Sequence, residues 1–367
     1  MRIAKITLDG YFNYGGVLQN YALQQVLRRY TEQVDSVWHT ANDFLPCTWK
    51  WRWQDKVKLI INWHGFEQGM VRIFGWEMVR QAAIRRFCQK YINEKFLEGK
   101  ISSVSEDYDY FVTGSDQVWN PFFSQTRCKD EFLTFAPREK RISYAASIGL
   151  SAIPEQDKEN FKRWLNEMKY ISVREQRGAD LVKELTGRTV PVHVDPTLLL
   201  TADEWSKIEE KPVWYTGKGE DYICTYFMGA NKISVAEIAK KNKLKVINIL
   251  DQKKFDHFII SPQEFIWLIH HAALVYTDSF HGTAFSINFG RAFIVCERIE
   301  NKMCNMSSRI DTLLELFGLQ SRLGTKDNGY CSESLFDIDY SDTVSIMERE
   351  RKRSFEYLLQ ALEGLQK

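Results

Sequence analysis

Short apolar runs alternate with segments of helical periodicity along this chain, and the alternation occurs twice. In the first block, residues 3–8, 110–113, 142–146 and 170–173 read as strands, and 17–30, 155–168 and 175–185 as helices; a short apolar run at 192–194 ends at Asp195-Pro196. In the second block, residues 222–227, 246–250, 272–276 and 292–296 read as strands, and 235–241, 263–271 and 283–289 as helices. Parallel strands cannot be joined by a tight turn and need a crossover, which the intervening helices supply. The pattern therefore predicts an α/β fold of parallel βαβ units. At 367 residues the chain exceeds what one core usually serves. Two tandem Rossmann-like domains are expected, 1–200 and 201–340, joined near 200–218, with a C-terminal helix in 341–367.

Bulk properties narrow the function classes. A formal net charge of +1 offers no electrostatic footprint for nucleic acid, so no nucleic-acid partner is expected. Met1 runs into a strand-like segment without a charged and then apolar leader, and no apolar run is long enough to span a bilayer. The seven cysteines are odd in number and never form a Cys-x-x-Cys pair, which argues against a disulfide framework and structural zinc. A cytoplasmic protein is expected.

The stretch from Tyr276 to Ile287 places His281 where a strand hands over to a helix. Ligands bind there in open α/β sheets, and a helix start suits an anion, here near Ser279 and Gly282. An imidazole at that point can deliver a proton near neutral pH. Read alone, the segment is equally a helix-capping turn. Asn13-Tyr14-Gly15-Gly16 lies between the first strand and first helix, where adjacent glycines allow close backbone approach. It is neither a dinucleotide fingerprint nor a P-loop. Thr113, Ser115, Asp116 and Gln117 leave a strand's carboxyl end and could meet sugar hydroxyls, or Asp116 could simply cap its turn. Arg174 ends another strand, suited to a carboxylate or phosphate, or to an ion pair with Glu175 or another acid. Arg309, after Ser307-Ser308, sits in a first helical turn, where a cation opposes the dipole. His270 and His271 lie at a helix end and read as structural. No metal ligand set has the usual spacing, so no metal is expected.

Residues 49–96 show no clear strand. They carry Trp49, Trp51, Trp53, Trp63 and Trp76 among basic residues such as Arg85 and Arg86. That mixture fits an interfacial helix at an anionic membrane surface, or a helical insertion packed on the first domain.

Several of these stretches, in order, resemble the polysaccharide pyruvyl transferase family. They are Asn13-Tyr14-Gly15-Gly16 with Gln19 and Tyr21-Ala22-Leu23-Gln24; Gly114-Ser115-Asp116-Gln117-Val118-Trp119-Asn120; Ser143-Tyr144-Ala145-Ala146-Ser147-Ile148-Gly149; Ser172-Val173-Arg174-Glu175; Asp195-Pro196-Thr197-Leu198-Leu199; Thr277-Asp278-Ser279-Phe280-His281-Gly282-Thr283; and Ser308-Arg309-Ile310. Residues 49–96 and the C-terminal helix lie outside the resemblance. It implies a GT-B-like pair of domains with the active site in the cleft. It implies transfer of the pyruvyl group of phosphoenolpyruvate onto two hydroxyls of a sugar in a capsule, exopolysaccharide or cell-wall precursor, with release of phosphate and no cofactor. The family's catalytic His falls on His281. Donor contacts fall on Arg174, Ser279, Gly282 and a downstream cation, for which Arg309 is preferred over Lys302. The acceptor, expected on a polyprenyl pyrophosphate at the inner face of the membrane, would lie against Asn13, Tyr14, Gly15, Gly16, Asp116 and Gln117. A GT-B glycosyltransferase using a nucleotide sugar and a non-catalytic glycan- or lipid-binding protein remain the competing readings.

Overall fold

The computed structural model describes residues 1–8, 10–38, 67–97, 100–124, 128–229, 235–298, 307–324 and 334–363. Strands β1 (Arg2–Ile6), β2 (Gln33–Trp38), β3 (Glu94–Phe96), β4 (Tyr110–Thr113) and β5 (Arg141–Ser143) form one parallel sheet in the order β3-β2-β1-β4-β5. Strands β6 (Tyr222–Tyr226), β7 (Lys245–Ile249), β8 (Leu274–Thr277), β9 (Phe293–Cys296) and β10 (Leu323–Gly324) form a second, ordered β10-β9-β8-β6-β7 and parallel throughout. These are the two tandem Rossmann-like units of the expected α/β class. Each sheet reverses its winding once, between β1 and β4 and between β6 and β8. Crevices at such reversals, beyond the carboxyl ends of the strands, are where ligands bind in this architecture.

The chain departs from the sequence expectation at β2, which that reading does not contain, and in three further places. β3 lies inside the stretch read as strand-free, pairing Glu94–Phe96 with Ser36–Trp38 at the sheet edge. A three-residue edge strand reading Glu-Lys-Phe carries no apolar signature, which is why the pattern hides it. Residues 170–173 and 192–194 join the first sheet only through isolated bridges, Ile142 to Tyr170, Ala146 to Val173 and Val173 to Val192. Hydroxyls replace ladder bonds there: Ser143 Oγ donates to Ser172 O, and Ser172 Oγ accepts from Ala145 N. Finally, the helix expected from residue 283 begins at Phe280, because Ser279 caps it and accepts from Gly282 N. His281 is thus inside the first helical turn rather than ahead of it.

One apolar core runs from the Tyr14–Leu27 helix through the Glu67–Tyr91 helix into the second sheet. Tyr14 shows the continuity: its ring stacks on Phe265 at 5.0 Å and its hydroxyl donates to Ile260 O at 2.9 Å. The described part of the 49–96 stretch is mainly that Glu67–Tyr91 helix. Ala83, Ile84, Phe87 and Cys88 are buried in the core, and Trp76 packs on Phe255 and Phe258. Trp49, Trp51, Trp53 and Trp63 lie outside the described residues. The Thr343–Glu363 helix crosses back to the first sheet, where Tyr357 donates to Ser143 O and Arg351 to the carbonyls of Leu198 and Leu200. Among the described residues, no helix is long and apolar enough to cross a membrane.

Candidate active site

The loops after β1, β4 and β8 meet at one point. Asn13 caps the Tyr14–Leu27 helix by accepting from Gly15 N at 2.9 Å and Gly16 N at 3.4 Å. This brings the helix start against His281, so close that a β-carbon on Gly15 would lie 2.0 Å from the imidazole Nδ1. After β4, Ser115 N donates to Gln19 Oε1 and Ser115 Oγ lies 3.0 Å from Asp195 Oδ2. Gln19 is itself held by Thr7 Oγ1 at 2.8 Å. Asp116 follows in the left-handed region at φ 53°.

A buried charge cluster fills the junction. Arg174 donates from one terminal nitrogen to Asp195 Oδ2 at 2.6 Å and from the other to Asp116 Oδ1 at 3.2 Å. Its guanidinium also lies 4.4 Å from the ring centroid of Phe280. Arg309 approaches Asp116 Oδ1 at 3.9 Å. Asp195 accepts from Thr197 N and Oγ1 through its other oxygen, which fixes the carboxylate at a helix start. His281 Nε2 faces Asp195 Oδ2 at 3.8 Å. That is too long for a hydrogen bond, and Nε2 has no hydrogen-bond partner among the described residues. Glu175 takes no part in the Arg174 pair. Its Oε1 instead accepts from Ser147 Oγ, Ile148 N and Gly149 N.

Burial and charge set the protonation states. Burial raises the pKa of Asp195, but His281 and Arg174 outweigh it and hold the carboxyl below its ordinary value. Asp116 behaves alike under Arg174, His281 and Arg309. Burial lowers the pKa of His281, and Arg174 and Arg309 add to that effect against the opposing pull of the two aspartates. Arg309 is depressed to about 10, by burial first and then by Arg174. Two guanidiniums and an imidazole gathered at the start of the Phe280–Asn288 helix give this crevice donors suited to an anion.

The sequence profile described as polysaccharide pyruvyl transferase matches residues 13–299, most of the chain. The chain belongs to this family. No curated protein matches it. Among solved structures, a candidate UDP-N-acetylglucosamine 2-epimerase from Listeria monocytogenes is 12% identical, with 98% of this chain and 91% of that chain covered at a TM-score of 0.49. The glycosyltransferase SnogD from Streptomyces nogalater is 11% identical, covering 100% and 98% at 0.41. The E. coli ADP-heptose LPS heptosyltransferase II is 12% identical, covering 96% and 99% at 0.36.

Within this pyruvyl transferase family chain, the structure gathers His281, Arg174, Arg309, Asp116 and Gly15, with Asn13, Gly16, Ser279 and Gly282 shaping the two helix starts around them. Tyr14 and Gln117 are turned elsewhere. Tyr14 lies in the core between the units, and Gln117 Oε1 accepts from Asn120 and abuts Gly149. Lys302 lies outside the described residues.

Residue-by-residue reading of site candidates passed over Asp195, which links Arg174, Ser115 and His281. Its signal was the Asp-Pro after a short apolar run. It also passed over Asp278, which accepts from Met228 N and Gly229 N and so ties the end of β6 to that of β8, and Arg298 beside it at 3.7 Å. Arg174, Asp195, Phe280 and Arg309 also wall one end of a cavity of about 620 Å³ that runs between the Gln176–Thr186, Ser307–Phe317 and Thr343–Glu363 helices.

Proposed function

We propose that this transferase moves the pyruvyl group of phosphoenolpyruvate onto two hydroxyls of one sugar and releases phosphate. The observation that carries the reading is the placement of an imidazole, its Nε2 without a partner among the described residues, beside two buried guanidiniums, Arg174 and Arg309, at the start of the Phe280–Asn288 helix. Protonated His281 gives its proton to the enol methylene, leaving an oxocarbenium-like carbon bearing carboxylate and phosphate. The first sugar hydroxyl adds to that carbon and returns a proton to the imidazole. The carbon–oxygen bond to phosphate then breaks, the second hydroxyl adds, and its proton leaves with the phosphate.

Arg309 and the start of the Phe280–Asn288 helix, with Ser279 and Gly282, hold the anionic donor. Arg174 supplies charge while fixing Asp116 and Asp195. The donor's own negative charge offsets the depression of the His281 pKa, so binding prepares the acid. No cofactor or metal enters this scheme. Asn13, Gly15, Gly16 and Asp116 line the acceptor side.

The acceptor is a surface-polysaccharide precursor on a polyprenyl lipid, met at the inner face of the membrane. The Glu67–Tyr91 helix supports this with Phe74, Met78 and Val79 exposed alongside Arg85 and Arg86. The test of the chemistry is phosphate release from phosphoenolpyruvate, screened against lipid-linked and nucleotide-linked sugars. Phosphate release that depends on a sugar, with a ketal in the product, supports the reading. Release of nucleotide from a nucleotide sugar, with phosphoenolpyruvate untouched, would replace it by glycosyl transfer.

A further inference from the structure

Outside the active site, one side-chain group has the composition of a metal centre. Glu209 belongs to the segment joining the two sheets. His270 ends the Pro262–His270 helix, and His271 is its C-cap. The carboxylate reaches both imidazoles, with Oε2 2.8 Å from His270 Nδ1 and Oε1 3.2 Å from His271 Nε2. A ligand atom from each of the three residues can be chosen so that all lie within 4.8 Å of one another.

Both rings are braced from behind. His270 stacks on Phe289 at 4.1 Å and 13°, and His271 on Trp267 at 4.5 Å and 25°. Their ring planes are therefore set before any ion arrives, which lowers the ordering cost of ligation. Side-chain exposures of 21%, 33% and 12% for His270, His271 and Glu209 leave a path to solvent and room for a water ligand. The nearby cation Lys211 is directed to Gly217 O at 2.7 Å.

We propose that Glu209, His270 and His271 form a binding site for a divalent transition ion of the zinc class. Two imidazoles and one carboxylate are a donor set that zinc accepts, with water completing a tetrahedron. Closing the set requires the three ligand atoms to draw together by rotation of Glu209, while each imidazole presents a lone pair instead of an N–H. The ion would clasp the inter-sheet segment to the second unit. The site shares no residue with the His281 cluster, so its role is structural and independent of the transfer reaction.

The experiment uses the full chain stripped with chelator and dialysed against zinc or cobalt(II). One equivalent of zinc beyond that kept by a His270→Asn, His271→Asn double variant is expected. Zinc should also raise the thermal midpoint of the wild type by several degrees but not that of the variant. Cobalt should give tetrahedral visible bands without a thiolate charge-transfer band. Glu209→Gln keeps the size of the side chain but replaces an anionic ligand oxygen by an NH2 donor, and should weaken zinc binding at least tenfold. Equal zinc retention by wild type and double variant would overturn the proposal. So would cobalt bands of thiolate character, or an unchanged affinity in Glu209→Gln.

Discussion

A β-carbon on Gly15 would lie 2.0 Å from Nδ1 of His281. This single approach joins the start of the first helix in one unit to the start of the Phe280–Asn288 helix in the other, and it fixes where the imidazole can sit. Gly15→Ala should therefore displace His281 without unfolding the chain, since Gly15 is helical and alanine suits a helix. Loss of a positioned acid costs about 10²–10⁴ in rate, so kcat should fall by up to that range while the thermal midpoint stays close to wild type. Unchanged kcat in the folded variant would show that the imidazole needs no such restraint.

The pH dependence has a defined sign. A general acid works only when protonated, so activity falls as pH rises through its pKa. In the free enzyme, burial and the two arginines hold His281 below the ordinary histidine value of 6.5. The kcat/KM profile, which reports free enzyme, should have its alkaline limb below pH 6.5. Bound donor brings negative charge, so the kcat limb should lie at higher pH. Coincident limbs, or an alkaline limb that survives in His281→Ala, would remove His281 from the acid role.

Arg174 and Arg309 should separate by what their loss disturbs. Arg174→Ala leaves Asp195 and Asp116 buried without their shared partner, and breaking such a pair typically costs about 3–5 kcal/mol of stability. Arg309→Ala should leave stability nearer to wild type and weaken phosphoenolpyruvate binding instead. Chemical denaturation combined with direct titration of donor distinguishes them. Equal destabilisation with equal donor affinity would refute the division of labour.

Membrane contact should depend on charge and on the exposed face of the Glu67–Tyr91 helix. Each basic residue near an anionic surface contributes roughly 1 kcal/mol, and the attraction fades with salt. Co-sedimentation with anionic vesicles should be strong at low salt, weaker at high salt, and reduced when Phe74, Met78, Arg85 and Arg86 are replaced together. Wild-type protein that stays in the supernatant at low salt would favour a soluble acceptor. Trp76, packed against Phe255 and Phe258, should be dispensable for vesicle binding.

The two sheets were legible because their central strands are apolar runs separated by amphipathic helices, as at 110–113 and 222–227. β2 is hidden because Asp35-Ser36 and Val37-Trp38 break the alternation within Gln33–Trp38, and β3 because three edge residues leave no period to detect. At the site, motifs located His281, Arg174, Asp116 and Arg309, since strand ends and helix starts mark the crevice. What spacing could not show was the partner of Arg174. Glu175 is adjacent in sequence, yet the carboxylates that bind Arg174 are 21 and 58 residues away. The Glu209 group hid for the same reason, with His270 separated from its carboxylate by 61 residues.

The Thr343–Glu363 helix returns to the first unit, where Tyr357, Ser354 and Arg351 reach Ser143, His193 and the carbonyls of Leu198 and Leu200. On a ribosome the first unit emerges early but gains these contacts only after the second unit has been made. Until then His193 Nδ1 and the carbonyls of Ser143, Leu198 and Leu200 lack the partners this helix brings. Translation thus builds the amino-terminal half first and completes it last, and a chain halted before residue 343 would release both halves with the first still unsealed.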